Sequence, residues 1–198
     1  PVPGYDRHFA VTEYFGIEMI PVPMLKTGPD MDILEELVNK DEAVKGCWCV
    51  PKYSNPTGIT YSDETVRRFA ALRPAAKDFR VIWDKAYCVH DLTDTPDTLL
   101  NLYEECMKQG TEDFVFFFAS TSKISFPGAG VSALAGSPKN IADIKKRISA
   151  QTIGPDKLNQ LRHILFLHDI SGVQELMQGH RKILEPKFHL VEQALEKE

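Results

Sequence analysis

The stretch that decides the fold is DFVFFFASTSKISFPGAG, residues 113–130. Its first half, DFVFFFAS (113–120), is apolar with no polar alternation. A strand reads this way when both of its faces are covered, as for an inner strand of a parallel sheet. The second half turns polar at once. Ser120, Thr121 and Ser122 lead to one lysine, Lys123, and a Pro-Gly-Ala-Gly turn follows at 127–130.

Moving outward, short apolar runs alternate with amphipathic stretches. GIEMIPV (16–22), GCWCVP (46–51), FRVIWD (79–84) and VSALAGS (131–137) read as further strands. MDILEELVNK (31–40) reads as a helix with Asp30 as N-cap and Ile33, Leu34 and Leu37 on one face. SDETVRRFAAL (62–72) reads as a helix capped by Ser62, with acids in its first turn, where the helix dipole favours them. TLLNLYEECMKQG (98–110) is a helix closed by Gly110. Such alternation predicts an α/β fold: a mostly parallel sheet with helices on both faces. After residue 138 the pattern is helical: 138–151, 155–169, and a long helix from about 171 to the end. Pro186 should kink or break that last helix.

Bulk properties narrow the function. The 198 residues are 43% hydrophobic and 26% charged, with a net charge of -5. That balance gives no electrostatic support for nucleic-acid binding. No apolar run is long enough to span a membrane, and no secretory signal is visible. The four cysteines have neither CxxC nor zinc spacing. Strand alternation puts Cys47 and Cys49 on one face, and reduced, buried thiols in a cytoplasmic protein are expected. The chain starts without methionine and stops inside a helical pattern, as a piece of a longer chain would.

In open parallel sheets, ligands sit beyond the C-terminal ends of the strands. Three chemically capable stretches fall at such ends. SNPTG (54–58) is either a plain turn or an amide, Asn55, held by Pro56 and Gly58 to meet a ligand. Asp84 closes VIWD, as a turn cap or as a carboxylate for a cationic ring nitrogen, and the Tyr87 phenol follows. Lys123 is either a solvated loop lysine or an amine that partial burial keeps reactive. Lys85, the rival lysine, should point away from Asp84.

The ordered set Asn-Pro-Thr-Gly, Asp-x-x-Tyr and Ser-x-Ser-Lys resembles the fold-type I pyridoxal-phosphate aminotransferases of class I/II. The wider run of YDRHF, PKYSNPTGITYSDE, WDKAYCVHDL, FASTSKISFPGAG and QTIGPDKLNQLRH is most similar to the bacterial aspartate aminotransferase subgroup Ic. The resemblance covers essentially the whole chain. It implies pyridoxal 5'-phosphate as cofactor and an amino acid and a 2-oxo acid as substrates, aspartate and 2-oxoglutarate first. It also implies a homodimer. By position, Lys123 matches the lysine that forms the Schiff base with the cofactor and moves the proton. Asp84 matches the acid paired with the pyridine nitrogen. Asn55 and Tyr87 match the two groups on the ring's 3-oxygen. Tyr5 falls where the family stacks an aromatic ring on the cofactor, and His8 where some members support the aspartate. Ser120 and Ser122 match phosphate-proximal positions.

The chain departs from the pattern at Val131, where many members carry a phosphate-binding arginine eight positions after the lysine. The loop amides around Gly128 and Gly130 are the expected substitute. The family's glycine-rich phosphate loop and its small C-terminal domain are not in this sequence. Residues 1–168 are therefore expected to be part of the cofactor-binding large domain, and 169–198 a connector helix into the small domain. A C–S lyase, a decarboxylase, or an aminotransferase-like sensing domain of a regulator would use the same cofactor-ring contacts.

Overall fold

Capping chemistry places several helices where local sequence puts them. The Asp30 carboxylate accepts from the backbone N–H groups of Asp32 and Ile33 and starts α2 (Met31–Lys40). Ser62 caps α3 (Asp63–Ala71) by accepting from the Thr65 N–H. Gly110, at φ 66°, closes α4 (Leu102–Gln109) in the left-handed conformation that glycine adopts without strain. A computed structural model describes residues 1–196. Its remaining elements are α1 (Asp6–Tyr14), β1 (Met24–Leu25), β2 (Gly28–Pro29), β3 (Gly46–Cys49), β4 (Arg80–Asp84), β5 (Val115–Ser120), β6 (Ser132–Gly136), α5 (Pro138–Gln151), α6 (Lys157–Leu167) and α7 (Ile170–Leu195).

The chain divides into two compact units. One comprises residues 1–86, 98–119 and 133–153; the other comprises 87–97, 120–132 and 154 onward. The first unit holds the sheet, in the order β3-β4-β5-β6. Strands β3 and β4 pair in parallel with Gly46 opposite Arg80 and Cys49 opposite Trp83. Strands β4 and β5 are also parallel, with Asp84 opposite Phe118. One sheet face, carrying Cys49, Val81, Trp83 and Val115, packs against Leu34 and Val38 of α2, Val66 and Phe69 of α3, and Leu102 and Cys106 of α4. Each such side chain contributes roughly 1.5–3 kcal/mol by leaving water. Trp83 meets both Phe69 and Tyr61 edge-on, with Phe69 and Trp83 centroids 5.4 Å apart, while Phe69 and Tyr61 lie nearly parallel. The opposite face meets α1, where His8 stacks on Trp48.

The second unit is helical. The Asp156 carboxylate accepts from the Asn159 N–H to cap α6. Asp169 accepts from the Ser171 and Gly172 N–H groups to cap α7. His168 joins the two helices at φ 58°.

Several expectations need correction. GIEMIPV forms no strand: Ile17 and Ile20 are exposed, its first residues bond back to α1, and its last, Val22, accepts from the Val2 N–H next to an isolated bridge between Val2 and Pro23. An apolar run becomes a strand only when a neighbour takes its ladder bonds. In the phenylalanine strand only Val115 is fully buried; Phe116 and Phe118, on the second sheet face, are half-buried because that face is only partly covered, and Phe117, on the core face, packs at the edge of the core. Ile33 is exposed, and Met31 and Val38 join Leu34 in the core instead. The helix read over 98–110 starts at Leu102, where the Asn101 side chain caps it. Pro186 does not end α7, which runs to Leu195; proline removes one ladder bond and the turns on either side keep theirs. The last two residues of that predicted helix, 197 and 198, lie outside the described residues. The four cysteines are free, and the Cys47 and Cys49 sulfurs approach to 3.6 Å on one face of β3, as strand alternation requires.

Candidate active site

In the first unit, Asp84 is the last residue of β4. Its Oδ2 lies 3.4 Å from His8 Nε2. His8 projects from the first turn of α1 and is itself positioned by two aromatic rings. Trp48 of β3 stacks on it at 4.4 Å and 16°, and Tyr5 meets it edge-on at 5.4 Å. Alternation along β3 explains the placement: Trp48 points to the sheet face opposite Cys47 and Cys49. Only 11% of the His8 side chain is exposed, against 27% for Asp84. The imidazole therefore shields one carboxylate oxygen and leaves the other available.

Asn55 lies half-buried in the loop after β3. That loop is tied back on itself by bonds from Ser54 N–H to Ile59 O and Tyr61 N–H to Pro51 O. Asn55, Tyr5, His8, Trp48 and Ile82 all line one cavity of about 740 Å³ within this unit. The expected group of Tyr5, His8, Asn55 and Asp84 is thus partly assembled: His8 contacts both Asp84 and Tyr5, and Asn55 shares the cavity.

In the second unit, the Lys123 Nζ lies 5.1 Å from the centre of the Tyr87 ring. The structure thus brings together the expected Schiff-base lysine and the expected phenol. Lys123 is exposed, which corrects the expectation of partial burial. It rides on a turn, and the strand before it ends at Ser120. Lys85, the rival, is also exposed, and its N–H continues the sheet by donating to Phe118 O. The Ser122 N–H donates to Ser120 Oγ at 3.4 Å. Gly130 packs directly on Ser122: a Cβ there would collide with its hydroxyl and lie 2.9 Å from its backbone nitrogen. The two serines and the glycine limb thus lie close together beside Lys123.

Sequence reasoning missed His90. Its Nε2 lies 3.0 Å from the Lys123 carbonyl, which can only accept, so that nitrogen carries the proton. His90 Nδ1 is buried without a hydrogen-bond partner. Burial, first, and then the positive charges of His180 and Lys123 hold the His90 pKa below its usual value, against the opposing bond to the carbonyl and the charge of Asp91. Tyr87 meets the His90 ring edge-on at 5.4 Å. The only sequence signal was a histidine three residues after the matched tyrosine. Trp48 was also missed, because its partner His8 is distant in sequence.

Among the described residues no group of three or more potential ligands could hold a metal ion, and no helix is long and apolar enough to cross a membrane.

The family described as aspartate amino-transferase matches residues 1–198. A relative from Mycolicibacterium smegmatis, named as an aminotransferase, is 53% identical over 196 residues, covering 99% of this chain and 46% of its own length. An aspartate aminotransferase from Corynebacterium glutamicum is 46% identical over 99% of this chain and 45% of its own. The crystal structure of an aspartate transaminase from Corynebacterium glutamicum superimposes with a TM-score of 0.95, over all of this chain and 46% of that one. The α-aminoadipate aminotransferase LysN from Thermus thermophilus, solved with N-(5'-phosphopyridoxyl)-L-leucine, shares the fold at a TM-score of 0.80 and 23% identity. The chain spans about half the length of the curated relatives it matches. Family membership implies pyridoxal 5'-phosphate as the cofactor. This chain belongs to the aspartate aminotransferase family.

Proposed function

We propose that the full-length protein is a pyridoxal-phosphate-dependent aminotransferase that takes the amino group from aspartate and passes it to 2-oxoglutarate, with Lys123 as the cofactor lysine. One observation carries this reading. Asp84 closes an inner parallel strand with His8 on one carboxylate oxygen, an arrangement suited to holding a protonated ring nitrogen on the other. When bound, the cofactor supplies an electron sink for the substrate's alpha carbon. The chain's own residues do the rest. Lys123 Nζ would hold the cofactor and would move the proton to and from that carbon. The Asn55 amide and Tyr87 hydroxyl would donate to the ring oxygen, and Tyr5 would cover a ring face. Ser120 and Ser122 donate to the phosphate. Val131 offers it no charge, so the amides around Gly128 and Gly130 complete that contact.

Several wider readings belong with this one. Residues 1–168 form part of the large domain, and 169–198 lead into a small domain. The exposed Ile183, Phe188, Leu190 and Val191 of α7 suit a helix that further protein covers. The intact protein is a cytoplasmic homodimer of amino-acid metabolism.

A substrate panel tests the activity. Full-length protein supplied with cofactor should convert aspartate and 2-oxoglutarate to oxaloacetate and glutamate. Release of pyruvate with sulfide from cysteine, or of carbon dioxide, without amino transfer would sink the aminotransferase reading.

A further inference from the structure

The loop that carries Lys123 is held by one face of α6 through two polar side chains, with one aromatic contact, Phe126 on Phe166 at 5.5 Å, beside them. His163 is 8% exposed. Its Nε2 lies 3.0 Å from Thr121 Oγ1 and 2.8 Å from Ser125 Oγ, so a single ring nitrogen meets hydroxyls on both sides of Lys123. The Thr121 hydroxyl oxygen also accepts from the Val131 N–H at 2.9 Å, and Thr121 N–H donates to Val131 O. The far limb of the loop meets Asn159, one turn earlier on α6. Asn159 Nδ2 donates to Ala129 O at 2.8 Å and to Gly130 O at 3.4 Å. Two side chains at i and i+4 therefore grip both limbs of the loop. The apolar residues of the same helix, Leu158, Leu161, Ile164 and Leu165, are exposed. An ordinary surface helix buries its apolar stripe instead. The inward pair is thus aimed at the loop and not at a core.

The tautomer follows from the partners. His163 Nδ1 lies 2.8 Å from the Asn159 carbonyl, which accepts only, so Nδ1 carries the proton. In the neutral ring Nε2 then offers one lone pair, which the Thr121 and Ser125 hydroxyls share, the Ser125 O–H also reaching Thr121 O at 3.2 Å.

We propose that His163, with Asn159, is a positioning residue for Lys123: an Nδ1–H imidazole that clamps Thr121 and Ser125 and so fixes the turn from which the lysine amine projects. Its consequence for catalysis rests on the reading of Lys123 as the cofactor lysine; the clamp itself does not. The test uses full-length protein selectively labelled with 15N-histidine, and the variants His163→Leu, His163→Gln and Asn159→Ala. The expected imidazole signature is Nδ1 protonated and Nε2 bare. In His163→Leu, amide exchange at Ser125 and Val131 should rise about five- to tenfold, the scale of one lost hydrogen bond. Turnover should fall about tenfold with KM little changed. Glutamine, which keeps an acceptor, should restore most of both. Asn159→Ala should speed exchange over 129–131 alone, and it serves if His163→Leu does not fold. An Nε2–H tautomer, unchanged exchange in His163→Leu and Asn159→Ala, or a glutamine variant as impaired as leucine would overturn the proposal. Tautomer and exchange keep their meaning if the protein proves not to transaminate.

Discussion

Asp84 ends one strand and Lys123 sits on the turn that follows another, and the protein holds them by different means. Asp84 closes a strand whose neighbours, Val81 and Trp83, are fixed in a dry core. Its polar partner His8 is itself wedged between aromatic rings. Lys123 sits on an exposed turn whose geometry comes from hydrogen bonds: Thr121 to Val131, Thr121 and Ser125 to His163, and His90 to the Lys123 carbonyl. A carboxylate that must hold one charge in place profits from rigid packing. On the proposed reading, a lysine that must let go of one partner and act on another needs an accessible amine on a fixed backbone.

The comparison can be broken at either end. The largest effect is expected in the core. Phe69 is fully buried between Tyr61 and Trp83, so Phe69→Ala should cost about 3–5 kcal/mol in denaturant unfolding. A loss below ~1 kcal/mol would show that the aromatic cluster does not anchor the sheet. In the lysine loop the effect is smaller and of the opposite kind, from added volume. Gly130→Ala places a methyl against Ser122 and should cost about 1–3 kcal/mol, read as a lower melting temperature. If the melting temperature does not move, the Gly130 and Ser122 limbs are not in contact.

The smallest effect is electrostatic. Because the folded-state pKa of His90 is depressed, the folded protein binds its proton less readily than the unfolded chain does. The associated stability is present above the usual histidine value of about 6.5 and is lost as pH falls below it. Urea midpoints at pH 7.5 and 5.5 should therefore differ more for wild type than for His90→Asn, whose amide can still donate to the Lys123 carbonyl. Equal differences in the two proteins would remove His90 from the account.

What could be read from the chain was what its chemistry makes local. Asp30, Ser62 and Gly110 cap as their types demand. Asp84 and Lys123 stood out because each breaks an apolar run. GIEMIPV misled because hydrophobicity does not supply a partner strand. The phenylalanine run overstated burial because composition does not say how much protein covers the second sheet face. His163, Asn159, His90 and Trp48 act through partners distant in sequence: Thr121 lies 42 positions from His163 and the Lys123 carbonyl lies 33 from His90. No periodicity reports such pairs, although QTIGPDKLNQLRH was already conspicuous as part of the family resemblance.

The proposed assignment of Lys123, and not Lys85, as the cofactor lysine can be tested directly. Full-length protein incubated with pyridoxal 5'-phosphate, reduced with borohydride and digested should carry the phosphopyridoxyl mass on the peptide containing Lys123. Lys123→Ala should abolish that labelling while Lys85→Ala leaves it intact. Label on Lys85, or undiminished specific labelling in Lys123→Ala, would contradict the account.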